Sequence, residues 1–160
     1  MAKTIAAGFT VAAVLALTQI RVDRSESGAE ASAIGALRAI ASAQSAYAAV
    51  NGGYARSLKT LSEGCPGTAT GFVSPDIASD PTVRNGYEIR LEAAPPATGS
   101  RFDCRGRPTA SGYYVTAVPA PRTAERRAFA VDQNQAIWFS GSGAAPAPPF
   151  HETATIKPLR

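Results

Sequence analysis

The chain has 160 residues, of which 18% are charged, and its formal net charge at pH 7 is +4. That length can bury a hydrophobic core without a structural metal. The charge alone would suggest nucleic acid as a partner. The sequence contains no basic stripe with interleaved aromatic residues, so we expect no nucleic-acid partner. Arg101, Arg105 and Arg107 form the one dense basic group, which predicts a solvated loop.

The N-terminal segment is apolar. Residues 4–20 carry no charge and lie between Lys3 and Arg21. A helix over them would span about 25 Å, slightly less than the roughly 30 Å of a bilayer core. A transmembrane anchor, a cleaved secretory signal and a buried helix of a soluble protein all fit this pattern. We predict that residues 1–27 anchor the chain in a membrane through residues 4–20, because the helical pattern continues past Arg21 without a clear cleavage site.

Residues 28–50 show the periodicity of an amphipathic helix. Apolar and small residues recur at spacings of three and four, which places them on one face. The sequence Asn51-Gly52-Gly53 then predicts the end of the helix. A face of this kind covers another element, and a sheet of the same chain is the expected partner. The predicted packing stripe consists of Ala33, Ile34, Leu37, Ile40, Ala41, Gln44 and Tyr47.

Strand patterns follow a turn-rich loop at residues 51–85. Alternating or β-branched and aromatic runs between turn residues predict an antiparallel sheet within residues 86–140. The tail, residues 141–160, is rich in Gly, Ala and Pro and predicts a poorly ordered or surface-running segment. The predicted class is α+β, with a long N-terminal helix packed on a small antiparallel sheet of about four strands. The strand candidates are Tyr87–Glu92, Tyr113–Val118, Arg127–Val131 and Ala136–Phe139.

The two cysteines, Cys65 and Cys104, are too far apart in sequence for a CxxC redox or zinc motif. In an exported protein they would form a disulfide, and in a reducing compartment they would stay as unpaired thiols. The apolar N-terminal segment favours export and therefore the disulfide.

Residues with catalytic chemistry are scarce. The single histidine, His151, lies in the tail, and no nucleophile elbow or phosphate-binding glycine motif occurs. Asp76, Asp80 and Asp103 are candidate calcium ligands, but spaced acids in loops are more often turn formers. We therefore expect no catalytic residue, no metal, no cofactor and no small-molecule substrate. The aromatic residues expected in the core or on sheet faces, where an exposed one could mark an interface, are Tyr113, Tyr114, Trp138 and Phe139.

The helix sequence resembles a known family. The run from Glu30 to Ile40, followed by Ala43-Gln44 and Tyr47, is similar to the helix segment of bacterial type IV pilin-like proteins and type II secretion pseudopilins. Strand fragments resembling the family's follow in the same order, so the resemblance covers about residues 28–140. Upstream, Gly8-Phe9 resembles the start of the family's processing site.

The resemblance implies a non-enzymatic structural subunit. Its helix would bundle with copies of itself or with other pilin-like subunits, and its head would cover the surface. It implies location in the bacterial inner membrane with the head in the periplasm, or in a filament on the cell surface. Ala13 stands where the family carries an acidic residue, which favours an alternative: a membrane-tethered or secreted binding module with a pilin-like head that does not polymerise. A small exported enzyme is a third hypothesis, and it would require a cleft with convergent titratable groups.

Overall fold

The computed structural model describes residues 9–96, 101–121 and 126–160, and for residues 9–27 it describes the backbone alone. Helix α1 spans Phe9–Asn51, and a short helix α2 follows at Leu58–Ser62. A single 3-10 turn, Pro75–Ile77, precedes the sheet. The strands are β1 Thr82–Arg84, β2 Tyr87–Ala93, β3 Tyr113–Pro119, β4 Ala128–Asp132, β5 Ile137–Ser140 and β6 Ile156–Pro158.

The strands form one sheet in the order β1-β2-β3-β4-β5-β6. Every neighbouring pair is antiparallel, so the sheet is a meander. The turn between β1 and β2 is Asn85-Gly86, and both residues have positive φ values, of 47° and 78°. Two residues of this conformation make the turn that best matches the twist of a hairpin, and Asn-Gly is its favoured sequence.

One face of the sheet packs on α1. Buried residues of the helix, such as Leu37 and Ile40, share a core with Ile89, Val115 and Phe129 of the central strands. Strand alternation therefore turns the side chains of the intervening positions toward the opposite face of the sheet. We call α2, the sheet and the loops that pack on it the head.

The tail covers part of that opposite face. Tyr114 projects from β3 away from α1, and its hydroxyl donates a hydrogen bond to the carbonyl of Pro146. Trp138, on β5, faces the same way and stacks on Phe150 with ring centroids 5.6 Å apart. The chain then returns as β6 along the edge of β5. All five residues of β4 are buried, as expected for a central strand covered on both faces.

The predicted α+β class describes the structure, but the predicted sheet of about four strands is wrong. The sheet has six strands. Among the α1 side chains that the structure describes, those in the core run from Ala29 to Tyr47. The two overlooked strands, β1 and β6, have three residues each, too few to show a periodicity. Strand β6 also lies in the tail, which the sequence predicts to be poorly ordered or surface-running, and it ends in Pro158, a residue tolerated at a sheet edge.

Part of the predicted membrane anchor lies outside the described residues, namely residues 4–8, and Gly8 of the predicted processing site falls among them. Residues 9–20 continue α1 as helical backbone. Within the portion of the chain that the structure describes, no helix combines the length and apolar character needed to cross a membrane.

Candidate functional site

The candidate site is the junction between α1 and the head. The residues of the predicted packing stripe lie at this junction: six are buried, and Ile34 is partly buried against the same core. The six fully buried members are Ala33, Leu37, Ile40, Ala41, Gln44 and Tyr47. The helix therefore turns a continuous face into the core, and two of the buried residues on that face are polar.

Gln44 connects α1 to the segment that follows the helix. Its side chain is fully buried. The Nε2 atom donates to the carbonyl of Ala55 at 3.0 Å, and the Oε1 atom accepts from the amide of Ala55 at 2.9 Å. A buried amide group is costly unless it is hydrogen-bonded. Here the nitrogen and the oxygen of the Gln44 side chain both bond to the backbone of Ala55. Gln44 therefore holds the segment after the helix against the helix itself.

Glu30 and Arg127 join the helix to β4 at the N-terminal end of the junction. Arg127 Nε lies 3.0 Å from a carboxylate oxygen of Glu30, and the terminal guanidinium nitrogen contacts the same oxygen. The guanidinium also lies over the rings of Phe129 and Phe139, 5.6 Å and 5.0 Å from their centroids. The hydrogen bond to Glu30 raises the pKa of Arg127 against the opposing effect of burial. Two residues further along α1, the hydroxyl of Ser32 accepts a 2.6 Å hydrogen bond from the side-chain amide of Asn85.

Asp103 is the centre of the opposite end of the junction. Its side chain is fully buried, and its carboxylate accepts a 2.7 Å hydrogen bond from the hydroxyl of Tyr47. It also accepts from the amides of Arg105 and Arg107, at 2.9 Å and 2.8 Å, and from Arg107 Nε at 2.8 Å. Arg107 in turn pairs with Glu63. Of the three arginines predicted to form a solvated loop, Arg101 and Arg105 are exposed, whereas the Arg107 guanidinium bridges two carboxylates and is one-third exposed.

The charge state of Asp103 follows from this environment. Burial raises the pKa of a carboxyl group, but the hydrogen bonds from the Arg107 amide, Tyr47, the Arg107 side chain and the Arg105 amide together outweigh it. They lower the pKa of Asp103 to about 2. Burial and the neighbouring carboxylate also raise the pKa of Tyr47. At neutral pH Asp103 is an anion held by a neutral phenol and a cationic guanidinium.

The predicted disulfide is confirmed: Cys65 and Cys104 are bonded, with Cα atoms 5.6 Å apart. The amide of Cys104 also donates to the side chain of Asn51, the last residue of α1, at 2.9 Å. Arg105 Nε donates to the carbonyl of Gly64 at 2.8 Å. Covalent and polar bonds thus attach the loop containing Asp103 both to the end of α1 and to the segment after α2.

The other acidic residues that are candidate calcium ligands have separate partners. Asp76 pairs with Arg84 at 2.8 Å, and Asp80 accepts from the amide of Leu91 at 3.1 Å. No group of three or more His, Cys, Asp or Glu side chains that could hold a metal ion occurs among the described residues. His151 lies exposed in the tail.

Sequence reasoning missed the polar part of the junction. It identified Tyr47 and Gln44 by their spacing but could not pair them with Asp103 and Ala55, which are distant in sequence. It treated Glu30 only as part of a helix motif. No protein-family model, curated protein or solved structure matches the chain.

Proposed function

We propose that the protein is a non-enzymatic structural subunit of a pilin-like or pseudopilin-like assembly, of the type IV pilus or type II secretion class. The observation that carries the proposal is the length of α1. Its 43 residues correspond to about 64 Å at 1.5 Å per residue. A six-stranded sheet is only about 25 Å wide at its normal strand spacing. Because α1 is much longer than the sheet, part of it extends beyond the sheet, and we propose that this part packs against lipid or against other subunits.

The chemistry of the N-terminal segment suggests what the rest of the helix contacts. Residues 4–20 carry no charge, and removing their apolar surface from water is favourable. The proposed partners are the membrane before assembly and the helices of other subunits afterwards. The proposed location is the bacterial inner membrane with the head in the periplasm, or a filament at the cell surface. The Cys65–Cys104 disulfide is consistent with such an oxidising compartment.

The junction supports a mechanical role for the head. Glu30–Arg127 lies at one end of the packed part of α1, and Tyr47–Asp103 lies near the other. Between them the helix contributes a continuous buried face to the core. A head fixed to its helix at both ends would move with the helix as one body, which a filament subunit requires when its helices are packed or pulled.

A second candidate is a membrane-tethered or secreted binding module that uses the same head without polymerising. The observation that favours it is Ala13, which stands where the resembling family carries an acidic residue. That family's acidic residue is thought to neutralise a neighbouring N-terminal amine within an apolar bundle, where an unpaired charge is costly.

Intact-mass and N-terminal peptide spectrometry of the protein from native membranes separates these candidates. The proposal predicts a mature chain that begins at Phe9, with a mass that excludes the first eight residues. An intact N-terminus would favour the tethered module. A chain that begins beyond Leu17 would contradict the structural-subunit proposal, because most of the apolar segment would be missing.

A further inference from the structure

A groove lies on the face of the sheet opposite α1, where the tail crosses the strand ends. One part of it has a volume of about 520 Å³ and lies between the ends of β2, β3 and β4 and the tail. A second part of about 650 Å³ lies beside Pro148, between the β4–β5 turn and the tail. Both parts are bordered by Asp132, Gln133 and Pro148. We call the two parts together the tail groove.

Four aromatic residues line the tail groove: the buried Tyr113, and Tyr114, Trp138 and Phe150, whose rings contact one another. Trp138 and Phe150 are stacked at an interplanar angle of 27°, and the ring of Tyr114 lies 6.2 Å from that of Phe150. These three residues are partly exposed. Because Tyr114 is also hydrogen-bonded to the carbonyl of Pro146, the rings are held in place before any ligand arrives. They provide a preformed aromatic surface that borders a solvent-accessible groove.

The charge of the groove is negative. Its lining includes Glu92 and Asp132 and contains no Lys or Arg. The Asp132 carboxylate accepts hydrogen bonds from the backbone amide and side-chain amide of Asn134, at 2.9 Å and 3.1 Å. Asp132 is buried, so Glu92 is the exposed carboxylate of the lining. Burial, with a smaller contribution from the Glu92 carboxylate, raises the pKa of Tyr114 to about 12.

The same chain already holds one cation between aromatic rings and a carboxylate. Arg127 places its guanidinium over Phe129 and Phe139 and pairs with Glu30. A cation there is held by ring faces and a carboxylate together. The tail groove has the same two components, aromatic rings and carboxylates, but its lining supplies no cation.

We propose that the tail groove binds an organic ammonium group. The ring faces attract a weakly hydrated cation through their quadrupoles, an interaction that proteins use to recognise quaternary ammonium ions and modified lysines. Glu92 and Asp132 supply the opposite charge and disfavour anions. The expected ligand is a small quaternary amine, because the primary ammonium of an unmodified lysine is strongly hydrated. This inference does not depend on the filament function, because the tail groove lies on the sheet face away from α1.

Fluorescence of Trp138 tests the inference directly, because Trp138 is the only tryptophan in the sequence. The full-length protein is titrated at constant ionic strength with choline, and in parallel with the peptide acetyl-Gly-Lys-Gly-amide. The neutral choline isostere 3,3-dimethylbutanol is the ligand control. We expect a saturable fluorescence change with choline and weaker binding of both the neutral isostere and the lysine peptide. Tighter binding of the peptide than of choline would contradict a quaternary-amine site.

Two matched variants assign the effect to the groove. Glu92→Gln removes one lining carboxylate from β2 and should weaken binding about fivefold, the size expected for one partly exposed charge interaction. Glu88→Gln alters the same strand and the same face, but Glu88 pairs with Arg90 and does not line the groove. It should leave binding unchanged. An unchanged Trp138 signal with choline, equal binding of the neutral isostere, or equal weakening by both variants would overturn the proposal.

Discussion

The hydroxyl of Tyr47 donates a 2.7 Å hydrogen bond to the carboxylate of Asp103, which lies 56 residues further along the chain. Tyr47 is on the buried face of α1, and Asp103 is in the loop that the disulfide attaches to the head. The bond therefore connects the helix to the most strongly cross-linked part of the head. The same bond is one of those that lower the pKa of the buried Asp103 carboxyl group and keep it ionised.

Replacing Tyr47 with Phe should destabilise the protein by about 1–2 kcal/mol, because a buried carboxylate loses one donor while the aromatic ring remains. Urea denaturation followed by circular dichroism measures this change. Tyr54→Phe is the matched control, since the hydroxyl of Tyr54 makes no hydrogen bond to another described residue. Equal effects of the two variants would show that the Tyr47–Asp103 bond contributes no specific stability.

Asp103 should make the protein sensitive to acid. Its pKa in the folded state is about 2, below the ordinary value of 3.8. A lowered folded-state pKa contributes stability that is complete above the unfolded-state pKa and is lost as the pH falls toward the folded-state pKa. The free energy of unfolding should thus fall by about 2 kcal/mol between about pH 4 and about pH 2 through this group alone.

The variant Asp103→Asn isolates that contribution from those of other carboxyl groups. The difference in free energy of unfolding between the native chain and the variant should shrink steadily over this pH range. A difference that stays constant from neutral pH to about pH 2 would contradict the assignment.

Removing the disulfide should cost about 4 kcal/mol, given the 39-residue separation of Cys65 and Cys104 and the entropy that such a loop restricts in the unfolded chain. The double variant Cys65→Ser, Cys104→Ser should show a lower urea midpoint. The native chain treated with reductant should show the same loss, which provides an independent comparison. An unchanged midpoint in both would mean that the polar contacts of the 101–107 loop hold the head without the covalent bond.

Tyr113→Phe should leave stability unchanged or raise it by up to about 1 kcal/mol, because an unsatisfied buried hydroxyl carries a desolvation cost. The Tyr113 hydroxyl is buried and has no hydrogen-bond partner among the described residues. Tyr87→Phe is the contrasting variant, since the hydroxyl of Tyr87 donates to the carbonyl of Arg127 at 2.9 Å. It should lose about 1 kcal/mol. A larger loss for Tyr113→Phe than for Tyr87→Phe in thermal denaturation would refute this interpretation.

Local pattern is what made parts of the fold predictable. Leu37 and Ile40 lie three residues apart on the face of α1 that the structure buries, and Ile89 and Leu91 alternate with charged residues in β2. Periodicities of this kind are visible in a short window of sequence. The strand β6 shows no such signal, since its pairing with β5 depends on the tail crossing the sheet and returning.

The polar part of the junction was beyond sequence reasoning for a related reason. Asp103 is the one acidic residue of the 101–107 loop, and an isolated acid in a loop is typical of a turn former. Its carboxylate is buried against Tyr47 and Arg107. The spacing of these residues in the sequence does not predict that they contact one another. The disulfide was predictable because only two cysteines exist and one pairing is possible.

Photocrosslinking in native membranes tests the proposed assembly role most directly. A benzoylphenylalanine introduced in place of Val14 lies in the apolar segment, and one introduced in place of Glu152 lies in the exposed tail as a control. The structural-subunit proposal predicts that irradiation of the Val14 variant gives a ladder of products, spaced by the mass of the mature chain if it assembles with copies of itself, or adducts with other pilin-like subunits. The Glu152 variant should give no such products. A Val14 variant that yields only monomer, or a ladder equally strong from both positions, would contradict assembly through the N-terminal helix.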